Sequence, residues 1–222
     1  MNASRPHALV LFVCVLLLTA FIDGFRAPVL ASDPASATAL VIHGGAGTIV
    51  KGQMTPELEE EYRLELEEAL IAGQAILQSG GSSLDAVVAV IKILEDSPLF
   101  NAGKGAVFTA EGRNEMDAAI MDGATGKAGA VAFVTRVKNP ITAARAVMDH
   151  TEHVMLAGAG ADTFAVAQGL QVAEAESFHT DRRWKQLHVA QEKEKATQTG
   201  SLSLDTRKPD LGTVGALALV HQ

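Results

Sequence analysis

Thr197-Gln198-Thr199-Gly200-Ser201-Leu202-Ser203-Leu204-Asp205-Thr206-Arg207-Lys208-Pro209-Asp210 runs straight into Leu211-Gly212-Thr213-Val214-Gly215-Ala216-Leu217-Ala218-Leu219. The first part has the low hydrophobicity and the Gly, Ser and Pro content of a linker. The second is a sharply apolar strand. Loops of that length are uncommon inside a domain without a function or disorder. One chemical use of such a junction is self-cleavage. Gly212 lacks a Cβ and so tolerates a strained backbone. The Thr213 hydroxyl can attack the Gly212 carbonyl in an N→O acyl shift. Hydrolysis of the ester then exposes Thr213 as a new N-terminus. A free α-amine titrates near about 7.7–8.0 and can act as base for the hydroxyl of its own residue. The plainer reading of Thr213 is a β-former at a strand start.

Upstream of that junction the pattern alternates between helix and strand. Ala39-Leu40-Val41-Ile42 reads as a short strand, and His43-Gly44-Gly45-Ala46-Gly47 turns sharply after it. Pro56 to Gln78 reads as a helix, with an apolar side at Leu58, Tyr62, Leu66, Leu70, Gly73 and Leu77 and a glutamate-rich side that faces solvent. Gly80-Gly81 ends it. Ser82 opens a second helix, apolar nearly all round from Leu84 to Leu94 and therefore predicted to be buried. After Pro98 the period changes to two. Ala106–Thr109, Asn114–Met121 and Ala128–Val137 read as strands separated by turns. Asn139-Pro140 begins a helix ending near His150, Val154-Met155-Leu156 a strand, and Ala161–Gln168 another helix. Residues 178–196 read as a polar helix with Trp184 as its core anchor. This order predicts an α+β or α/β layering.

The chain has 222 residues, a formal net charge of −8, 48% hydrophobic and 20% charged residues, which places it among globular proteins. The negative balance and the lack of a basic patch argue against a nucleic-acid partner. Residues 1–31 have the layout of a secretory signal peptide: Arg5, an uncharged apolar run from Ala8 to Ala20, and Val29-Leu30-Ala31 as a small-residue cleavage site. The apolar run falls short of the roughly 20 residues of a membrane span. An uncleaved anchor is the alternative. The expectation is an exported protein, periplasmic or extracellular, without a membrane association once the signal is removed. The single cysteine, Cys14, lies in this segment, so the mature part has neither disulfide nor thiolate chemistry.

Four motifs in order give the chain a family resemblance. They are His43-Gly44-Gly45-Ala46-Gly47; Leu94-Glu95-Asp96-Ser97-Pro98-Leu99-Phe100-Asn101-Ala102-Gly103-Lys104-Gly105-Ala106-Val107-Phe108-Thr109; Asn114-Glu115-Met116-Asp117-Ala118-Ala119-Ile120-Met121-Asp122-Gly123; and Gly212-Thr213-Val214-Gly215-Ala216-Leu217-Ala218-Leu219. From Ala39 to Val220 the chain resembles the plant-type L-asparaginase/isoaspartyl peptidase family of N-terminal nucleophile hydrolases. The resemblance implies an αββα four-layer sandwich, incomplete in this chain. It implies hydrolysis of a β-aspartyl amide, in free asparagine or an isoaspartyl dipeptide, with no cofactor for catalysis. Thr213 is then the nucleophile, Gly212 supplies the cleavage-site carbonyl, and Asn101 supports the nucleophile. Main-chain carbonyls of Leu94, Glu95, Ser97, Phe100, Ala102 and Lys104 are implied to hold a structural sodium ion, a hard cation suited to oxygen ligands.

The same resemblance divides the chain into 1–31 signal peptide, 32–196 α-subunit-like part, 197–212 linker and 213–222 start of the β subunit. It also implies a dimer of αβ pairs. The family's second Thr, its substrate-clamping Arg and Asp and its oxyanion-hole Thr-Gly pair have no counterpart before Gln222. This predicts a truncated precursor or fragment that is inactive alone, since losing one oxyanion donor costs about 10²–10³ in rate. A glycosylasparaginase of the same superfamily is the second enzyme reading. A non-catalytic nucleotide-binding or scaffold domain is the reading from another class.

Weaker signals favour structure over chemistry. His43-Gly44-Gly45-Ala46 resembles an esterase oxyanion loop, but no G-x-S-x-G accompanies it. His43 is expected to be a positioned residue near the floor of the site. Gly158-Ala159-Gly160 starts like a dinucleotide fingerprint but has Thr163 at the third glycine. Gly103-Lys104-Gly105 lacks the Ser or Thr of a phosphate loop. His150 and His153 lack a third metal ligand in register and read as the end of a surface helix.

Overall fold

The computed structural model describes residues 38–45, 54–198 and 212–220. The predicted signal segment 1–31 and residues 199–211 of the predicted linker lie outside the described residues. Five strands and five α-helices make a mixed α/β fold with two sheets among the described residues.

Helix α1 (Pro56–Gln78) and helix α2 (Ser83–Asp96) pack on each other and form one cover. Both start where the sequence places a cap. Thr55 Oγ1 accepts the Leu58 N–H at 3.3 Å, and Ser82 Oγ accepts the Asp85 N–H at 3.1 Å. The predicted bounds of α1 match, because capping, Pro56 at the first position and helical period all agree. Beneath the pair lie β1 (Thr38–His43) and β5 (Gly215–Val220), antiparallel to each other, with α1 on β1 and α2 on β5. β2 (Met116–Met121), β3 (Ala128–Val134) and β4 (Met155–Ala157) make the second sheet, in which β2–β3 is antiparallel and β3–β4 parallel. Helix α3 (Pro140–His150) lies across β2 and β3, and α4 (Gly158–Ala167) packs on β3.

Leu94, Val90, Val131, Val134 and Val147 are fully buried in one apolar cluster that joins the helices to the second sheet. Each such side chain contributes roughly 1.5–3 kcal/mol. Helix α5 (Asp181–Gln198), polar along most of its length, leads to the linker. No described helix is long and apolar enough to cross a membrane.

Two expectations change. Ala106–Thr109 forms no strand beyond an isolated bridge between Phe108 and Asn114. Three of its ladder groups are taken by side chains instead: Asn114 Nδ2 donates to the Ala106 and Val107 carbonyls at 2.9 and 3.1 Å, and Asn101 Oδ1 accepts the Val107 N–H at 2.9 Å. Trp184 is not the core anchor of α5. It stays 37% exposed, edge-on to Phe108 and His188, while Arg183 beside it is 2% exposed.

Candidate active site

The end of β1 and the start of β5 set the geometry. Their register puts His43 opposite Gly215, so the turn after β1 meets the segment before β5. Gly45, at φ +113°, lies against Thr213: a Cβ there would sit 2.7 Å from the Thr213 carbonyl oxygen and 3.1 Å from its nitrogen. Only glycine fits both this contact and this backbone angle. Gly44 touches the Phe100 ring, where a Cβ would come within 2.6 Å. The turn is therefore held between the loop after α2 and the Thr213 backbone.

That loop carries Asn101. Its Nδ2 donates to the Gly212 carbonyl at 2.5 Å. Its Oδ1 accepts from Val107 N–H, and this fixes which end of the amide faces Gly212. A donor on the carbonyl of the predicted scissile bond stabilises negative charge developing on that oxygen. Asn101, Gly212 and Thr213, far apart in the chain, are brought together. His43 is occupied otherwise: Nδ1 accepts the Gly45 N–H at 3.3 Å, and Nε2 lies directly over Gly215. This makes it a positioning residue for the turn.

The loop is braced from α1 and α5. Tyr62 Oη donates to the Leu99 carbonyl at 2.9 Å and receives Arg182 Nη1 at 2.8 Å. Arg183 Nε donates to the Gly105 carbonyl at 2.6 Å, and its Nη1 donates to Gln186. Burial, with Arg182 nearby, pulls the Arg183 guanidinium below its usual range. The Arg183–Gly105 bond has no local pattern in the sequence that could have revealed it.

The loop backbone also suits a hard cation. Leu94 and Glu95 are in the last turn of α2, where helix carbonyls lack partners of their own. Gly103 lies against the Glu95 carbonyl oxygen, and Gly105 against the Phe100 and Pro98 carbonyl oxygens, in spaces a Cβ would fill. The Ala102 carbonyl already accepts the Gly105 N–H at 3.0 Å. Glu95 itself is buried. Its Oε1 accepts the Ile141 N–H at 3.0 Å, Oε2 has no hydrogen-bond partner among the described residues, and burial pushes its carboxyl up to about 8.

A cleft of about 730 Å³ opens between Asn101 and Thr213 on one side and the β2–β3 edge on the other. Glu115, Asp117, Phe133 and Met155 line the far wall. None of these four stands out by spacing. His150 and His153, by contrast, are exposed at the end of α3, and among the described residues no cluster of three metal-ligating side chains occurs.

An asparaginase family profile matches residues 36–222. A putative isoaspartyl peptidase/L-asparaginase of Dictyostelium discoideum is 51% identical over 156 residues, covering 70% of this chain and 45% of that protein. The isoaspartyl peptidase of Escherichia coli is 47% identical over 182 residues, 81% of this chain and 56% of the relative. A plant-type L-asparaginase of Pyrococcus furiosus is 43% identical over 189 residues, with 81% and 58% covered. The chain belongs to the asparaginase family. It spans about half the length of the curated relatives it matches.

Proposed function

We propose that this chain carries the cleavage junction and nucleophile of a threonine-type hydrolase of β-aspartyl amides. Its substrates are L-asparagine or isoaspartyl dipeptides. Thr213 Oγ1 attacks the Gly212 carbonyl carbon, and the Asn101 amide stabilises the oxyanion. The Gly212–Thr213 C–N bond breaks as the nitrogen takes a proton, which leaves an ester. Water then hydrolyses the ester to a Gly212 carboxylate and a free Thr213 amine. In turnover that amine takes the hydroxyl proton while Oγ1 attacks the β-carbonyl of the substrate. Ammonia or an amino acid leaves, and water releases aspartate.

The observation that carries this reading is the 2.5 Å bond from Asn101 to the Gly212 carbonyl, with Gly45 packed against Thr213. The names of the relatives support the substrate class. The family supports a four-layer αββα architecture and a dimer of αβ pairs. The resemblance implies main-chain carbonyls of Leu94, Glu95, Ser97, Phe100, Ala102 and Lys104, and the Glu95 and Phe100 carbonyl oxygens beside Gly103 and Gly105 support a sodium ion that would hold the Asn101 loop in shape. The layout of residues 1–31 supports export.

The test uses the complete reading frame. The wild type should give two bands on a denaturing gel and hydrolyse β-aspartyl-leucine and asparagine, whereas Thr213→Ala should give one band and no turnover. Full activity in an uncleaved wild type would sink the mechanism. Turnover of a glycosylated asparagine alone would move the substrate to the glycosylasparaginase class.

A further inference from the structure

Phe133 is the one described non-glycine residue at positive φ, +55°. A bulky side chain rarely adopts that backbone. The cause is a bulge. Met116 pairs with Val134 and Ala118 with Val131, so Asp117 alone faces Ala132 and Phe133. The Asp117 carboxylate replaces the missing ladder partner, with Oδ1 accepting the Phe133 N–H at 2.8 Å. The bulge also resets the alternation of β3. Gly129 and Val131 are buried, and regular pleating would bury residue 133 as well. Val134 is buried instead, and Phe133 stands 59% exposed. Bulges near functional sites re-aim side chains in this way. Here Phe133 lines the cleft that also holds Asn101, Gly212 and Thr213, together with Ala132 and Met155.

We propose that Phe133 is a specificity-determining residue, and that its ring receives the apolar side chain of the leaving residue in a β-aspartyl dipeptide. The inference rests on the β-aspartyl hydrolase reading and deepens it. Free asparagine releases ammonia and has nothing to place against Phe133. A β-aspartyl-leucine presents an isobutyl group there.

The experiment compares β-aspartyl-leucine with L-asparagine on the matured enzyme from the complete reading frame. Phe133→Gly should lower kcat/KM for the dipeptide about tenfold, through KM, the worth of one partly buried apolar contact. Asparagine turnover should stay level. Phe133→Leu should restore most of the dipeptide efficiency. Glycine accepts φ +55°, so the variant keeps the backbone it needs to fold. An equal change for both substrates, or none for either, overturns the proposal. So does a fall in Tm with unchanged selectivity, which would place Phe133 in packing. A cleaved wild type that hydrolyses neither substrate would overturn the broader reading and this one together. A wild type that hydrolyses both leaves only the Phe133 assignment at stake.

Discussion

Along β1 and β5 every residue from Thr38 to His43 meets its partner in unbroken order, whereas β2 and β3 lose register at Asp117. Both irregularity and regularity serve the same cleft. On the β1–β5 side the Thr213 backbone is located by its close contact with Gly45, and the Gly212 carbonyl before it by the Asn101 amide. On the β2–β3 side a strained aromatic residue is turned outward and held by a carboxylate. A reacting bond needs a fixed position, which a full ladder supplies. A recognition wall needs an outward side chain, which a broken ladder supplies.

The strongest way to break this comparison is at Asn101. Asn101→Asp keeps an acceptor for the Val107 N–H but replaces the donor facing Gly212 with an oxygen. Cleavage at Gly212–Thr213 should slow by about 10²–10³, the usual cost of one oxyanion donor. Gel densitometry against time in the complete reading frame measures it, with Tm reported beside the rate. Wild-type cleavage in the variant would detach Asn101 from the chemistry and leave it as a brace for Val107.

Next in size is a contrast between two glycines of the ordered side. Gly45→Ala drives a Cβ into the Thr213 backbone at a φ of +113°, where nothing can swing aside. Gly215→Ala meets the His43 ring, which can swing out at the loss of its bond from the Gly45 N–H. Denaturant midpoints should therefore place Gly45→Ala about 2–3 kcal/mol below wild type and Gly215→Ala about 1 kcal/mol below. In a His43→Ala background the Gly215→Ala penalty should nearly vanish, a non-additivity expected of direct contacts. Equal penalties for the two glycines would show that the turn is not seated on Thr213.

How much of this was legible in the chain follows from where the determinants lie. Helices α1 and α3 were readable because the helical period from Leu58 to Leu77 and the Pro140 start are properties of neighbours in sequence. The buried stripe of α2 at Ala86, Val90, Ile91 and Leu94 was readable from its apolar residues, although Leu84, Val87, Val88 and Ile93 are only half-buried. Period-two alternation at Ala106–Thr109 misled because a strand also needs free ladder groups, and Asn101 and Asn114 consume them. Arg183 was passed over for Trp184 because residue type favours the indole inside, while the Gly105 carbonyl that admits the guanidinium is distant in sequence. The pairing of Asn101 with Gly212 was approached through family resemblance, and its atoms needed the fold. The bulge at Asp117 left no mark: β2 and β3 each look like regular strands until they are paired.

The smallest effect probes the strained side by itself. At an ordinary strand position Gly is less stable than Ala by roughly 0.5–1 kcal/mol, because its unfolded chain is freer. At Phe133 the order should invert. An Ala side chain still opposes φ +55°, at about 1–2 kcal/mol, and Gly does not. Phe133→Gly should thus be more stable than Phe133→Ala by about 0.5–1 kcal/mol in urea unfolding. Ala130, two residues before the bulge and paired in register with Ala119, supplies the control. Ala130→Gly should cost about 0.5–1 kcal/mol relative to wild type. A Phe133→Ala variant as stable as Phe133→Gly would mean that β3 relaxes once the ring is gone. The ring's contacts would then hold the bulge open, and the Asp117 carboxylate would merely follow it.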